Sequence, residues 1–242
     1  MYPELLKKCL LDAIYGSEVV AWGTTPQGEN ASDHDIQNGT YWPKRAHTMI
    51  GMKRLNNIEH CIRTILMEGI PGDFMETGVW RGGATIFMAG LNKWFNGGRR
   101  IYVADSFEGL PPPNPQKWPQ DEGDNHYEYT FLAVSEAHVK ENFKRYDLLD
   151  DSVVFVKGFF EESIPKASIG TLSLLRLDGD MYGSTMTVLR ELYDKVSPGG
   201  FVIIDDWNIL KCRAAVTDFL VERGLTPEIT PIDGCGVFWR KA

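Results

Sequence analysis

Asp73-Phe74-Met75-Glu76-Thr77-Gly78-Val79-Trp80-Arg81-Gly82-Gly83-Ala84-Thr85-Ile86-Phe87-Met88 is the stretch from which the fold can be read. A short strand-like run leads into a glycine-containing turn and then into a helical pattern opening near Ala84. Strand, tight turn and helix make the first half of a βαβ unit. The same alternation continues downstream. Strand-like runs stand at 100–104, 152–156, 171–177 and 199–204, with helical patterns at roughly 83–96, 135–146, 160–167 and 182–196. Short apolar strands alternating with helices specify a mostly parallel sheet covered on both faces. A helix at about 210–223 and two strands at 228–231 and 236–240 close the chain. The expected fold class is therefore α/β and Rossmann-like, ending in an antiparallel hairpin.

Upstream the texture differs. Residues 3–15 place Leu5, Leu6, Cys9, Leu10 and Ile14 near helical spacing, and residues 47–68 do the same with Met49, Met52, Leu55, Ile58, Ile62 and Leu66. Between them, residues 24–45 are rich in turn formers and polar groups, which reads as a long loop. A structureless loop longer than about 15 residues is disordered or a functional lid. The Tyr41-Trp42 pair favours the lid. Two regions are expected: a helical extension and lid over 1–70, and an α/β domain over 71–242. Tyr41 and Trp42, with Trp207 after the fifth strand, are candidates to face a substrate. The proline-dense stretch 111–125 is a second lid or a semi-rigid surface loop.

The chain has 242 residues, 43% of them hydrophobic, enough for a core without disulfides. Its 25 basic and 33 acidic residues leave a net charge of −8, which argues against nucleic acid or an anionic membrane as partner. No apolar run approaches the roughly 20 residues of a membrane span. Met1-Tyr2-Pro3-Glu4-Leu5 lacks the order of a signal peptide, so a cytoplasmic location is expected. Cys9, Cys61, Cys212 and Cys235 form no C-x-x-C pair and read as reduced thiols, mostly core fillers.

Three features carry chemistry. The turn Glu76-Thr77-Gly78-Val79-Trp80 has glycine where backbone must approach a ligand, but Trp80 stands where a pyrophosphate-binding turn needs a middle glycine. That disfavours NAD or FAD and suits a cofactor without phosphate, such as S-adenosylmethionine. An ordinary strand-to-helix turn is the alternative. Asp105 closes the second strand of the domain, placed to accept from both hydroxyls of a ribose, although Asp also suits a cap or turn. Finally, Leu174-Leu175-Arg176-Leu177 runs into Asp178-Gly179-Asp180, and Phe201-Val202-Ile203-Ile204 runs into Asp205-Asp206. Adjacent parallel strands bring their carboxyl ends side by side, so four carboxylates converge. A hard divalent cation relieves their repulsion and acidifies a bound hydroxyl, and a free carboxylate can take the proton. Asp180 could instead cap the following helix, and Asp205 and Asp206 could be turn residues.

These motifs, with Val103-Ala104-Asp105-Ser106-Phe107 and the stretch from Ala46 to Asn57, resemble the macrocin O-methyltransferase family over roughly residues 45–240. The resemblance implies a Rossmann-like class I methyltransferase fold: a seven-stranded, mostly parallel sheet with a C-terminal antiparallel hairpin and an N-terminal helical lid. It implies S-adenosylmethionine and Mg²⁺ or Mn²⁺ as cofactors, and a hydroxyl of a deoxysugar on a natural product as acceptor. Asp178, Asp205 and Asp206 would hold the metal, and Asp180 would be the general base. Glu76, Thr77, Gly78, Val79, Trp80, Asp105, Ser106 and Asp178 would line the cofactor. Thr48 and Met49 would close over it, and Gly158 and Phe159 would lie at the adenine. It also implies a homodimer or higher homo-oligomer. Residues 16–44 match least. A nucleotide-sugar glycosyltransferase built on Asp178-Gly179-Asp180 is the rival enzyme, and a cofactor-binding module without turnover is the non-enzymatic one.

Overall fold

The computed structural model describes residues 1–242. Strands β1 (Val19–Ala21) and β2 (Trp42–Pro43) pair as a small antiparallel ribbon. The other strands are β3 (Asp73–Thr77), β4 (Ile101–Asp105), β5 (Val153–Lys157), β6 (Leu172–Leu177), β7 (Val196–Ile204), β8 (Thr230–Pro231) and β9 (Val237–Arg240). They form one seven-stranded sheet in the order β5-β4-β3-β6-β7-β9-β8. The first five are parallel, while β9 runs antiparallel to β7 and to β8. The expected sheet and terminal hairpin are present. Chain direction of travel reverses between β3 and β6, and the crevice at such a reversal is where open α/β sheets bind ligands.

Eight helices cover it: α1 (Tyr2–Leu10), α2 (Asp33–Asn38), α3 (Gly51–Met67), α4 (Gly83–Trp94), α5 (Glu136–Arg145), α6 (Phe160–Ser163), α7 (Tyr182–Leu192) and α8 (Leu210–Glu222). Successive strand residues point to opposite faces, so both faces are apolar. Phe74, Ile101, Val103, Leu174 and Phe201 pack with Leu55 and Ile58 of α3 and Phe87 of α4. Met75, Tyr102, Leu175, Val202 and Ile204 pack on the other side with Leu189 of α7 and Phe219 of α8. Each fully buried large aliphatic side chain contributes about 1.5–3 kcal/mol, so these two layers dominate stability. Leu6 and Leu10 place α1 in the first layer. Its buried Lys7 reaches Glu59 and Asn56 of α3, each at 2.6 Å, which compensates its desolvation.

Two helix boundaries and the burial of the thiols differ from the sequence expectation. The helix expected from 47 starts at Gly51. His47 accepts the Gly83 N–H through its carbonyl (2.9 Å) and donates its own N–H to Leu10 (2.8 Å), which holds the backbone out of helical form. Thr48 and Met49 therefore lie in an extended approach to α3. The helix expected over 160–167 stops at Ser163 and continues as a 3₁₀ turn, because Pro165 supplies no backbone donor. Of the four thiols only Cys61 and Cys212 are buried, so just two are core fillers.

The largest difference is residues 24–45. They are not structureless: they hold α2 and β2. Asp35 is fully buried and accepts the hydroxyls of Thr24, Thr25, Ser32 and Thr40 at 3.4, 2.5, 2.9 and 2.8 Å. The polar residues that resembled loop signals are thus the bonding partners inside a folded flap. Gly39 ends α2 in the left-handed region, and a Cβ there would lie 2.4 Å from the Ile50 carbonyl carbon. Only glycine lets the flap sit backbone to backbone on the start of α3. No helix is long and apolar enough to cross a membrane.

His47 also carries a pH dependence. Burial, and then the positive charges of Arg145 and Arg81, lower its pKa to about 4, while its Nδ1 lies 2.7 Å from the Tyr146 hydroxyl. The unfolded chain takes up this proton near pH 6.5. Between those values the unfolded state binds more protons, so this contribution is complete above about pH 6.5 and is lost towards pH 4. Thermal unfolding of wild type and His47→Gln from pH 7 to 4.5 should show their Tm gap narrowing as pH falls. A constant gap would contradict the assignment.

Candidate active site

The β3–α4 turn sets the site. Gly78 has φ +87°, and a Cβ on it would meet the Asp178 carbonyl oxygen at 1.7 Å. The end of β3 and the end of β6 are therefore packed main chain to main chain, which no other residue permits. Val79 donates its N–H to Asp105 Oδ2 (2.7 Å), and Phe107 donates to Oδ1 (2.7 Å). Burial raises the Asp105 pKa against the pull of these bonds. Trp80 is held in the left-handed region, its indole N–H donating to the Phe131 carbonyl at 3.0 Å.

Below the turn lies a buried ionic network. Glu76 and Arg176 are neighbours in register across β3 and β6. The Arg176 guanidinium, 1% exposed, pairs with Glu76, with Asp178 at 2.8 Å and with Asp205. Arg54 of α3 pairs with the other oxygen of Asp205 and lies 3.1 Å from Asp233.

Of six neighbouring carboxyls, Glu76, Asp178, Asp205 and Asp233 pair with the two guanidinium groups, while Asp180 and Asp206 have no such partner. Oxygens of Asp178, Asp205 and Asp206 all lie within 4.8 Å of one another. Burial first, and then repulsion from neighbouring carboxylates, pushes Asp178 and Asp206 well above the usual carboxylate range. Asp180 rises to about 6, mainly by burial, with His126 opposing and Asp205 and Asp124 adding to the rise. Its backbone sits at φ +54°, and its N–H donates to Asp206 Oδ2 at 3.1 Å. An excess of negative charge among oxygen donors is the environment a hard divalent cation fits. Burial also takes Glu76 up to about 7, and its Oε2 has no partner. Glu76 lines the cavity, and an unpaired carboxyl oxygen suits an ammonium or amide donor.

The cavity has a volume of about 790 Å³. Of the residues singled out from sequence, Trp42, Thr48, Met49, Glu76, Gly78, Val79, Trp80, Asp105, Ser106, Phe159, Asp178, Asp180, Asp205 and Asp206 line it. Four do not. Thr77 is buried in the strand with its hydroxyl on the Arg176 carbonyl (3.4 Å), and Gly158 lies behind Phe159, its N–H on the Asp105 carbonyl at 2.9 Å. Tyr41 is buried with Val19 and Ala31 inside the flap, because strand alternation turns it away when Trp42 faces in. Trp207 packs on the second core layer under Arg213, leaving Asn208 and Ile209 at the wall.

Arg54, Trp22, His126 and Tyr129 also line the cavity and were not singled out. Arg54 sat in a helix whose apolar face drew attention. His126 and Tyr129 follow the proline-dense stretch without any motif spacing. That stretch is fastened over the site: Asp121 accepts the N–H groups of Tyr182 and Gly183, each at 2.8 Å, at the start of α7. Asp124 adds contacts to His126 at 2.9 Å and to Lys211 at 3.2 Å.

A strand-end aspartate beside a glycine turn, with a carboxylate cluster across the switch point, stands in the crevice where α/β enzymes bind their ligands. Residues 18–241 match the family model of the macrocin-O-methyltransferases (TylF), and the chain belongs to that family of O-methyltransferases. It is 46% identical, over 99% of its length and 92% of the relative's, to 8-demethyl-8-(2,3-dimethoxy-alpha-L-rhamnosyl)-tetracenomycin-C 4'-O-methyltransferase of Streptomyces olivaceus. It is 44% identical to the mycinamicin III 3''-O-methyltransferase of Micromonospora griseorubida, over 100% of this chain and 96% of that one. The solved O-methyltransferase NovP superposes with a TM-score of 0.93 at 40% identity, covering 100% of this chain and 98% of NovP.

Removing Arg176 leaves Glu76, Asp178 and Asp205 facing one another without their shared cation. Arg176→Met should lose about 3–5 kcal/mol of stability in urea unfolding, the usual cost of stripping one partner from a buried ion pair. A loss below about 1 kcal/mol would show that the carboxyls do not depend on it.

Proposed function

We propose that this chain transfers the methyl group of S-adenosylmethionine, with Mg²⁺ or Mn²⁺, to a sugar hydroxyl of a glycosylated natural product. The carrying observation is that the Asp178, Asp205 and Asp206 cluster and the Asp180 carboxyl share one cavity with the Gly78–Trp80 turn. The names of the relatives support the acceptor class, since both act on glycosylated compounds. A nucleotide-sugar glycosyltransferase is disfavoured, because the cavity's arginines, Arg54 and Arg176, are committed to carboxylates and leave none for a diphosphate.

In this reading Glu76 and the Gly78–Trp80 turn receive the amino-acid end of the donor, and Asp105 with Ser106 receives its ribose. Thr48 and Met49 cover the donor, and Phe159 meets the adenine. Asp178, Asp205 and Asp206 would hold the cation, which when bound acidifies a hydroxyl beside it. Asp180 removes the hydroxyl proton. Its carboxyl makes no hydrogen bond within the protein, so it is free to accept a proton from the hydroxyl. The flap and the 119–133 segment exclude water and align acceptor oxygen with sulfonium methyl. Residues 1–70 serve as helical extension and lid, and residues 71–242 carry the chemistry. The protein is expected to act in the cytoplasm as a homodimer or larger homo-oligomer.

Thermal unfolding with S-adenosylhomocysteine tests the reading, since a native-state ligand at a hundredfold excess over Kd adds about 2.7 kcal/mol. A rise in Tm, increased by Mg²⁺ and reversed by EDTA, is expected. No rise, or a rise only with a nucleoside diphosphate sugar, would overturn it. On a glycoside acceptor found by screening, Asp180→Asn should lower kcat about 10²–10⁴-fold while S-adenosylhomocysteine affinity stays near wild type. A variant retaining most of its turnover would remove Asp180 as base.

A further inference from the structure

Arg81 follows directly on the turn that Gly78, Val79 and Trp80 build, yet it is committed to the flap. A single terminal nitrogen donates to the carbonyls of Ala46 (2.9 Å) and Lys44 (3.0 Å), with Pro43 at 3.4 Å. These are the residues by which the β1–β2 ribbon returns towards Thr48 and α3. The guanidinium also lies over the Trp80 ring (4.1 Å to its centroid) and near that of Phe131 at 5.3 Å. Trp42 of the flap stacks on Phe131, ring centroids 5.0 Å apart at an interplanar angle of 7°. Three separate segments therefore meet at one side chain: the glycine turn, the end of the flap and the 126–132 stretch. Asn142 of α5 fixes the Arg81 carbonyl at 3.0 Å.

We infer that Arg81 is a positioning residue that couples donor occupancy of the turn to closure of the flap over the acceptor side of the cavity. The inference rests on the reading of Gly78–Trp80 as the donor's seat. Trp80 holds a left-handed conformation that a non-glycine residue adopts only when its surroundings enforce it. A ligand on the turn selects the state in which Trp80 and Arg81 are in place. The same state presents the Arg81 donors to the flap carbonyls. A ligand that favours one state of a shared element strengthens whatever else needs that state, and the effect is reciprocal. Ala21 and Trp22 at the end of β1 and Trp42 of β2 line the cavity, so a donor that favours this state also holds the acceptor wall in place.

Hydrogen exchange of the full-length protein, with and without saturating S-adenosylhomocysteine, tests this without knowledge of the acceptor. In wild type, the ligand should slow exchange of amides between residues 18 and 47 by about tenfold, within the usual range of coupling between sites. In Arg81→Met, calorimetry should still show the ligand binding, weakened by no more than the roughly tenfold that reciprocity allows, but at saturation it should slow flap exchange less than about twofold. Arg81→Lys serves if the methionine variant folds poorly. Its ammonium keeps the charge but cannot serve those carbonyls and cover the Trp80 ring together, so the same loss is expected. Equal flap protection in wild type and variant, or wild-type binding that leaves the flap unaffected, would overturn the inference. Absence of S-adenosylhomocysteine binding to wild type would instead count against the reading of the donor seat.

Discussion

The contact between Gly78 and the Asp178 carbonyl is the constraint on which the site depends. It lets the tips of β3 and β6 approach until Glu76, Arg176 and Asp178 form one ionic group. Asp205 joins from the end of β7 and Arg54 from α3, so four elements converge on one ionic group at the cavity floor. Paired buried charges of this kind add little net stability, but removing any one partner is expensive. The network's main effect is therefore geometric. It fixes where the surplus carboxylates stand.

That surplus links fold to chemistry. A closed network would match every carboxylate with a cation, whereas here Asp206 and Asp180 project beyond the guanidiniums into the cavity. Their pKa values rise because burial and neighbouring carboxylates disfavour the charged form. A protein keeps such an arrangement at some cost to stability where a ligand supplies the missing positive charge. The flap and the Asp121-anchored stretch meet where Trp42 stacks on Phe131, and both line the cavity.

Much of this was legible in the chain. The strand positions followed from short apolar runs, and convergence of Asp178 with Asp205 and Asp206 followed from two strand ends in a parallel sheet. Gly78 and Asp105 were visible through their places after strands. Other features had no local signal. Arg54 meets Asp205 across 151 residues, and Asp121 meets Tyr182 across 61, so only the fold reveals either pairing. The flap misled for a different reason. Ser, Thr and Asp suggest a loop when their partners are unknown, yet around Asp35 they bond one another. Tyr41 and Trp207 illustrate a finer limit, since an aromatic residue beside a site faces it only if strand alternation and neighbouring packing turn it inward.

The most direct test of the account is anomalous diffraction from crystals grown with Mn²⁺ and S-adenosylhomocysteine. The account predicts a single strong manganese peak bounded by carboxylate oxygens of Asp178, Asp205 and Asp206, with the Asp180 carboxyl nearby and outside the coordination sphere. Crystals that bind S-adenosylhomocysteine but show no peak there, or a peak elsewhere, would contradict the claim that these carboxylates are assembled to hold a cation.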